Sequence, residues 1–360
     1  MKLIHTGDIH IGSALKNLPA DKAKLRKAEL IDGFAKICAY AKANGVFAVL
    51  IAGDLFDDAG VPAHVIRQVF SVLENAKPVR FFYVSGNHDK GLGVMQDAPD
   101  NVYGFSHTPP FASYDLGENV TLTGMDAGFF SLENFSALRF SPSTYNVLLL
   151  HGDVAGDTRA KEHIPLAHLQ NKNVDYLALG HIHKPTLSLE RFDARGHYRY
   201  CGTPESRGFD EIGERGFFLL EIVNGKLTDE KFLSLATRAV REIKVDISHC
   251  KDYLDLERAV LAQTQTFPQT DCVKCVLCGS YQTALRKDLP LLQARLSQRF
   301  FHVKLQDESR LFFDPRAYAN DLTERGEFVR EVGKCEMNAR LKEEILEVGL
   351  KALAGEEIDL

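Results

Sequence analysis

The chain has 360 residues, of which 45% are hydrophobic and 26% charged, and its formal net charge is −6. These values are typical of an ordinary soluble globular protein with two domains, and the negative charge is unusual for a nucleic-acid-binding chain. No apolar run approaches the roughly 20 residues of a membrane helix. The seven cysteines form no secreted disulfide framework and the first ten residues lack the apolar core of a signal peptide, so we expect a cytoplasmic protein without a membrane partner.

Short apolar runs alternate with amphipathic stretches over the first two thirds of the chain. Apolar residues recur at intervals of three and four in residues 21–43 and 61–75, which predicts helices there. Strands separated by helices favour an α/β core with a mixed sheet or two stacked sheets. We predict strands at residues 2–6, 46–51, 79–84, 145–150 and 174–179, and further strands near 119–123, 197–201 and 216–223.

The pattern changes at about residue 240. The segments VREIKVDIS, DYLDLERAVLAQ, CVKCVLCGSY, LPLLQARLSQRF and HVKLQ predict a small β-α-β-α-β unit, and residues 314–353 are charged and helical. Cys272, Cys275 and Cys278 have a spacing like that of iron–sulfur ligands, but no fourth cysteine follows. On a strand Cys275 points away from the other two, so we expect structural, reduced cysteines.

Polar side chains follow five of the predicted strands at their carboxyl ends. A glycine stands directly before the first polar residue after four of these strands, and directly after it on the strand of residues 145–150. In chain order, the residues are Asp8 and His10, Asp54 with Asp57, Asn87 with His88, His151, and His181 with His183.

Carboxyl ends of strands in an open α/β sheet meet at one edge, so these residues can converge although they are far apart in sequence. Nitrogen and oxygen donors without cysteine suit Mn, Fe or Zn. Because the donors are too many for one ion, two ions that share one carboxylate are the economical interpretation. Each motif alone has a structural explanation, such as a helix cap for GDLFD or a turn for GNHD, but the ordered set favours a metal site.

The ordered motifs D-x-H, G-D, G-N-H-[DE], H-G and G-H-x-H resemble those of the calcineurin-like metallophosphoesterase superfamily, over about residues 1–223. The resemblance implies an α/β/β/α sandwich of two mixed sheets flanked by helices. It implies one metal ion held by Asp8, His10, Asp54 and His183. It implies a second ion held by Asp54, Asn87, His151 and His181.

The same resemblance implies that His88 is the catalytic histidine, which protonates or stabilises the leaving oxygen of a phosphoester. Asp57 matches the acid that orients this histidine in some relatives, and Asp89 competes for that role. The sequence leaves the choice between the two acids open.

The segment YCGTPESRGFDEIGERGFFLLEI, residues 200–222, resembles the SbcD family of DNA-repair nucleases through its G-[ST]-P-E, FDE and G-E-[KR]-G patterns. This resemblance implies cleavage of DNA phosphodiesters with two bound divalent ions. Manganese is the expected metal, and iron and zinc are the alternatives. The resemblance also implies a homodimer bound to an SbcC-like coiled-coil ATPase, and the chain has no G-x-x-x-x-G-K-[ST] of its own. With this resemblance we expect three parts: a catalytic domain at 1–240, a small α+β capping domain at 241–310, and C-terminal helices at 311–360 that bind the partner.

Contacts to the DNA backbone require lysine or arginine. Lys90, Lys184 and Arg207 are the candidates beside the metal motifs and in the SbcD-like segment. A further group either contacts DNA or forms a solvated helix face: Lys16, Lys22, Lys24, Arg26 and Lys27.

The C-terminal helix carries two apolar stripes, which suit packing on its own domain or docking to a coiled coil. One stripe comprises Met337, Leu341, Ile345 and Val348, and the other Leu346, Leu350 and Leu353.

Other functions remain as alternatives. A phosphodiesterase of nucleotides or other small phosphodiesters needs the same metal motifs but not residues 240–360. A protein phosphatase is disfavoured because GDLFDD lacks the arginine of the G-D-x-V-D-R-G pattern. The chain could also be a non-catalytic subunit that binds DNA ends. Such a subunit is expected to have lost one or more metal ligands, and all of them are present here, which disfavours this alternative.

Overall fold

The computed structural model describes residues 1–15, 18–57, 60–89, 97–105, 110–156, 158–282, 285–312 and 318–355. The chain forms two compact units, Met1–Ala239 and Val240–Leu360. In the described part of the chain, no helix is long and apolar enough to cross a membrane.

The strands, in chain order, are β1 (Lys2–Thr6), β2 (Ala48–Ala52), β3 (Arg80–Val84), β4 (Val102–Gly104), β5 (Ala112–Gly117), β6 (Val120–Gly124), β7 (Tyr145–His151), β8 (Tyr176–Gly180), β9 (Glu190–Arg191), β10 (His197–Tyr200), β11 (Phe217–Val223), β12 (Lys226–Leu233), β13 (Val240–Asp246), β14 (Cys272–Cys278), β15 (Ser280–Tyr281), β16 (His302–Asp307) and β17 (Arg310–Leu311). The α-helices are α1 (Ala20–Ala43), α2 (Ala63–Asn75), α3 (Leu132–Ala137), α4 (Tyr253–Thr264), α5 (Leu289–Arg299), α6 (Glu324–Lys334) and α7 (Ala339–Ala354). Short 3-10 turns lie at Ala127–Phe129 and Leu166–His168.

The first unit contains two six-stranded sheets, in the strand orders β12-β11-β1-β2-β3-β4 and β5-β6-β7-β8-β10-β9. Strands β1 to β4 are parallel, as are β6, β7, β8 and β10, whereas β11 runs antiparallel to both β1 and β12, β5 runs antiparallel to β6, and β9 runs antiparallel to β10. Both sheets are therefore mixed. The predicted α/β sandwich of two mixed sheets flanked by helices is confirmed.

Buried apolar side chains hold these layers together. Between the sheets, Leu50 and Phe82 of the first sheet share a core with Leu149 of the second. On the outer face of the first sheet, Phe34 of α1 and Leu73 of α2 join a core with sheet residues. Every residue of β2, β7 and β8 is buried, which explains their near-continuous apolar runs. These three buried strands deliver their carboxyl ends to the site described below.

The predicted helices and strands of the first unit are all present, with ends that differ by one or two residues. The sequence did not predict β4, β5, β9, β12 or α3. Strand β12 (KLTDEKFL) lies at the edge of its sheet and has no fully buried residue. An edge strand needs little apolar surface, so its sequence lacks the pattern that marks a half-buried strand.

The second unit has a parallel three-stranded sheet, β13-β14-β16, and a two-stranded sheet, β15-β17. The predicted β-α-β-α-β order is confirmed, with α4 and α5 between the strands. Cys275 is fully buried in the core of this unit with Val273 and Leu277, as expected for a cysteine on the inner side of β14.

Helices α6 and α7 contribute to the same core as the small sheet, through Val329 of α6 and Leu346 and Leu350 of α7. The structure therefore groups residues 240–360 as one compact unit. On α7 one predicted stripe packs inward at Leu346 and Leu350, whereas Leu341 and Val348 of the other are 42% and 40% exposed.

Candidate metal centre

The loops that follow β1 and β2 run side by side and carry the first three candidate ligands. The backbone N–H of Asp8 donates to the carbonyl of Gly53 at 3.0 Å, and that of His10 donates to the carbonyl of Asp54 at 2.9 Å. The parallel pairing of the two strands thus continues beyond their ends. As a result, Asp8, His10 and Asp54 are brought together although 44 or more positions separate Asp54 from the other two.

Four candidate ligands adopt a left-handed backbone conformation. The φ angle is 50° at Asp8 and His10, 49° at Asp54 and 97° at His181. A residue with a side chain pays roughly 1–3 kcal/mol for such a conformation, and residues held in this way concentrate at functional sites. The backbone turns sharply at these four positions.

Glycines let neighbouring backbones approach the centre, as the sequence predicts. A Cβ atom at Gly86 would lie 2.0 Å from Asp54 Oδ1, and one at Gly180 would lie 1.9 Å from the carbonyl oxygen of Ala52. Real Cβ contacts are never this short, so these two positions require glycine.

The residues predicted to hold the first ion lie together. Asp8, His10 and His183 offer donor atoms that all lie within 4.8 Å of one another. The Nε2 atoms of His10 and His183 are 3.2 Å apart, and His10 Nε2 is 3.6 Å from Asp54 Oδ2. We name this group, Asp8, His10, Asp54 and His183, the first ligand set.

The residues predicted to hold the second ion also meet at Asp54. His151 Nε2 is 3.3 Å from Asp54 Oδ2 and 2.8 Å from Asn87 Oδ1, and His181 Nδ1 is 3.3 Å from the same amide oxygen. We name this group, Asp54, Asn87, His151 and His181, the second ligand set. Asp54 Oδ2 lies between the two sets, where a bridging carboxylate has to lie.

Hydrogen bonds at Nδ1 orient three of the histidine rings. Nδ1 of His10 lies 2.9 Å from Asp57 Oδ1, Nδ1 of His151 lies 2.8 Å from the carbonyl of Ala52, and Nδ1 of His183 lies 2.8 Å from Glu211 Oε1. With the proton on Nδ1, each ring presents the lone pair of Nε2 to the centre, which is the usual arrangement of a metal-binding histidine. Burial lowers the pKa of His10, and it lowers that of His151 to about 4, so both rings are neutral at pH 7.

The donor set fits divalent cations. Asp8 and Asp54 are 0% and 2% exposed, and neither forms an ion pair with a lysine or arginine of the described residues. Burial, with the neighbouring charge of Asp54, raises the pKa of Asp8 well above its ordinary value. Buried carboxylates among neutral imidazoles need a compensating positive charge, and carboxylate, amide and imidazole donors without thiolate suit Mn, Fe or Zn.

His88 stands at the solvent side of the centre, with 44% of its side chain exposed. Its Nδ1 donates to the main-chain carbonyl of Asp57 at 2.7 Å, while the Asp57 carboxylate is 3.9 Å away. The backbone N–H of His88 donates to Asp54 Oδ1 at 2.9 Å. His88 is therefore fixed at both its ring and its backbone, and within the described part of the chain its Nε2 has no hydrogen-bond partner.

Asp89, the other acid considered for His88, has a different set of partners. Its carboxylate accepts hydrogen bonds from the backbone N–H groups of Leu55 and Phe56 at 3.1 and 2.9 Å, and burial raises its pKa to about 6. It ties the loop after β3 to the loop after β2. Of the two acids, Asp57 is the one in contact with the ring of His88, and it makes this contact through its backbone.

Glu211 lies in the FDE pattern, but its role in the site was not predicted from the sequence. This glutamate is buried and bonds to His183. The sequence predicted that Arg26 either contacts DNA or lies on a solvated helix face, and both predictions are wrong for this residue. It is buried and donates to the carbonyl of Ser206 and to Glu205.

The predicted DNA contacts lie in different surroundings. Lys184 is exposed directly beside His183. The guanidinium of Arg207 lies 3.4 Å from Asp57 and 3.3 Å from Glu211. Lys90, like Lys16, lies outside the described residues. The DNA contacts therefore stay predictions.

Two sheets that bring aspartates, histidines and an asparagine together at their strand ends define a metal-dependent phosphoesterase. The family model described as calcineurin-like phosphoesterase matches residues 1–185, which is more than half of the chain. The chain belongs to the calcineurin-like phosphoesterase family. The site is a candidate His/Asp dimetal centre of the kind typical of that family.

Curated relatives extend the similarity. The uncharacterized metallophosphoesterase YhaO of Bacillus subtilis is 26% identical over 78% of this chain and 72% of its own length. The DNA double-strand break repair protein Mre11 of Methanopyrus kandleri is 25% identical over 65% of this chain and 57% of its own. The SbcD component of the nuclease SbcCD of Escherichia coli is 23% identical over 72% of this chain and 75% of its own.

Proposed function

We propose that this phosphoesterase hydrolyses DNA phosphodiester bonds in DNA repair, as an exonuclease or endonuclease. The observation that carries the proposal is the extent of the similarity to the repair protein Mre11 and to the SbcD component of the SbcCD nuclease. These alignments cover 65% and 72% of the chain, whereas the family model matches residues 1–185, which is about half of it. The likeness therefore continues beyond the part that any phosphoesterase of the family shares.

A second observation supports the proposal. The SbcD-like segment, residues 200–222, contains Arg207 and Glu211, and both of these side chains contact the candidate ligand His183. Residues that resemble a DNA nuclease thus belong to the site itself. The side chains of His88 and His183 are 44% and 30% exposed, so the centre opens to solvent on the side where a long substrate can lie.

The chain's residues have separate tasks in this reaction. Bound cations supply positive charge to the phosphate oxygens and make water more acidic. Asp8 and Asp54 supply the negative charge that holds the cations, and the neutral rings of His10 and His151 supply lone pairs. His88 keeps Nδ1 on the carbonyl of Asp57 and, when protonated, donates from Nε2 to the leaving oxygen. Such acid catalysis contributes typically ~10²–10⁴-fold in rate.

We further propose that the chain works as a homodimer with an SbcC-like coiled-coil ATPase. Leu341 and Val348 on α7 are exposed and seven positions apart, and they offer apolar surface at heptad spacing to such a partner. Lys184, exposed beside His183, is the candidate contact to a DNA phosphate.

The test uses the full chain with Mn²⁺, end-labelled duplex and single-stranded DNA, and bis-p-nitrophenyl phosphate in parallel. His88→Ala and chelation by EDTA should each abolish DNA cleavage. The matched control is His64→Ala, because His64 is an exposed histidine at the start of α2. Cleavage of the small diester together with intact DNA, also after an SbcC-like ATPase is added, would contradict the proposal and favour a small phosphodiester as substrate.

A further inference from the structure

Three charged side chains form a chain of contacts around the first ligand set. We name Asp57, Arg207 and Glu211 the outer clamp. Arg207 Nη1 lies 3.4 Å from Asp57 Oδ1, and Arg207 Nη2 lies 3.3 Å from Glu211 Oε1. The arginine thus links the two carboxylates by ion pairs.

Each carboxylate of the outer clamp holds one histidine of the first ligand set. Asp57 bonds to Nδ1 of His10 and Glu211 bonds to Nδ1 of His183. In the second ligand set, His151 is held by the neutral carbonyl of Ala52. The Nδ1 atoms of His10 and His183 therefore have a carboxylate at hydrogen-bond distance, whereas that of His151 bonds to a neutral carbonyl and has the carboxylate of Asp8 only at 3.7 Å. A carboxylate behind a histidine makes the ring a stronger ligand and fixes its tautomer.

Glu211 is itself rigidly placed. It is 4% exposed, and its Oε2 accepts a hydrogen bond from the backbone N–H of Arg207 at 2.7 Å. Ser206 Oγ donates to the carbonyl of Glu211 at 3.0 Å, which closes the loop from residue 206 to residue 211. These hydrogen bonds hold the Glu211 carboxylate in a fixed position beside His183.

His183 has two neighbours at the same nitrogen. Glu211 Oε1 lies 2.8 Å and Arg207 Nη2 lies 2.9 Å from its Nδ1. Arginine can only donate and a carboxylate can only accept, so the two contacts select opposite tautomers. With the proton on Nδ1, His183 donates to Glu211 and offers Nε2 to a cation. With the proton on Nε2, His183 accepts from Arg207 and loses that capacity.

We propose that Glu211 is a positioning residue that keeps His183 in the tautomer that binds metal, and that it thereby strengthens the first metal position selectively. The inference rests on the candidate dinuclear centre described above. It assigns to Glu211 a role in metal affinity at one position, because Glu211 supports a histidine of the first ligand set and the support of His151 in the second comes from Ala52.

The experiment measures Mn²⁺ binding to the full chain by equilibrium dialysis over a range of free Mn²⁺ concentrations. The variants are Glu211→Ala and Glu211→Gln, and the matched control is Glu214→Gln, since Glu214 is exposed three positions away. The wild type and the control should bind two ions. In Glu211→Ala one ion should bind as before and the other about 10–100-fold more weakly. Glu211→Gln keeps an acceptor oxygen, so its loss should be smaller.

Two results would overturn the role of Glu211: unchanged affinity for both ions, or an equal loss at both positions in a folded variant. Thermal unfolding in EDTA establishes that each variant is folded. If Glu211→Ala does not fold, Glu211→Gln is judged by the same criterion. Fewer than two ions on the wild type would instead contradict the dinuclear centre itself.

Discussion

Asp57 holds His88 and His10 with different groups. Its main-chain carbonyl accepts from His88 Nδ1 at 2.7 Å, and its carboxylate lies 2.9 Å from His10 Nδ1. The hydrogen bond to His10, together with charged neighbours that include Arg207, lowers the pKa of Asp57. A substitution of the side chain therefore removes the support of the candidate ligand His10 but leaves the contact to the candidate catalytic histidine.

We expect Asp57→Asn to act mainly on metal binding. The variant should need about 10–100-fold more Mn²⁺ for half-maximal turnover of bis-p-nitrophenyl phosphate, because a carboxylate behind His10 is lost. At saturating Mn²⁺ the rate of Asp57→Asn should stay within about a few-fold of the wild type. This loss is small compared with the ~10²–10⁴-fold loss expected for His88→Ala. A large rate loss with an unchanged Mn²⁺ requirement would mean that the carboxylate acts on His88 instead.

Gly86→Ala should damage the centre. The new Cβ would overlap Asp54 Oδ1 and the loop after β2, so either the carboxylate or the loop must move. We expect a loss of about 1–3 kcal/mol in the free energy of unfolding, measured with urea, and weaker binding of Mn²⁺. Gly128→Ala is the control, because a Cβ there meets no atom within 4 Å. Equal stability and metal binding in both variants would show that the space around Asp54 is not required.

His5 links the stability of the first unit to pH. It is fully buried in β1, with Nδ1 2.9 Å from the hydroxyl of Tyr176 and Nε2 3.2 Å from the carbonyl of Leu179. Burial, followed by the charge of Arg199, lowers its pKa to about 3, whereas the unfolded value is near 6.5. The unfolded chain thus binds the extra proton, and stability that is fully present above pH 6.5 falls as the pH decreases toward 3.

The expected contribution of His5 is about 1.4 kcal/mol per pH unit below its unfolded pKa. Urea unfolding of wild type and His5→Gln in EDTA, between pH 7 and pH 5, measures it. The free energy of unfolding should fall more steeply for the wild type. Parallel pH dependences would contradict a neutral, buried His5.

Lys184→Ala tests the proposed DNA contact. The variant should bind DNA more weakly, and the slope of log affinity against log salt should decrease by about 1, as expected for one lost phosphate contact. Turnover of bis-p-nitrophenyl phosphate should remain, because Lys184 is exposed outside both ligand sets. Lys226→Ala, an exposed lysine on the edge strand β12, is the control. An unchanged salt slope for Lys184→Ala would remove Lys184 from the DNA contact.

The sequence predicted the parts of the site that depend on local pattern. A buried apolar run that stops at glycine and a polar residue marks a strand end, and parallel strands bring such ends to one edge. Asp8, His10, Asp54 and His151 were therefore predictable as neighbours. The groups that orient these side chains were not predictable. The two contacts of Asp57, to His88 and to His10, and the bond between Glu211 and His183 depend on loop conformation.

Long-range ion pairs were equally beyond the sequence. Arg26 stands in a lysine-rich helix beginning, yet its partner Glu205 lies 179 positions away. The cluster of charged residues around Arg26 predicted a DNA contact or a solvated helix face, because the local sequence does not show the distant loop of Glu205 and Ser206 that Arg26 contacts. Edge strands such as β12 were not predicted because they bury few side chains and therefore lack the apolar pattern of a half-buried strand.

The central claim is that these strand ends hold two divalent cations on the two sides of Asp54. Anomalous diffraction at the manganese edge, from crystals grown with Mn²⁺, tests it most directly. We expect two anomalous peaks, one among Asp8, His10, Asp54 and His183, and one among Asp54, Asn87, His151 and His181. A single peak, or peaks that do not contact Asp54, would contradict the account.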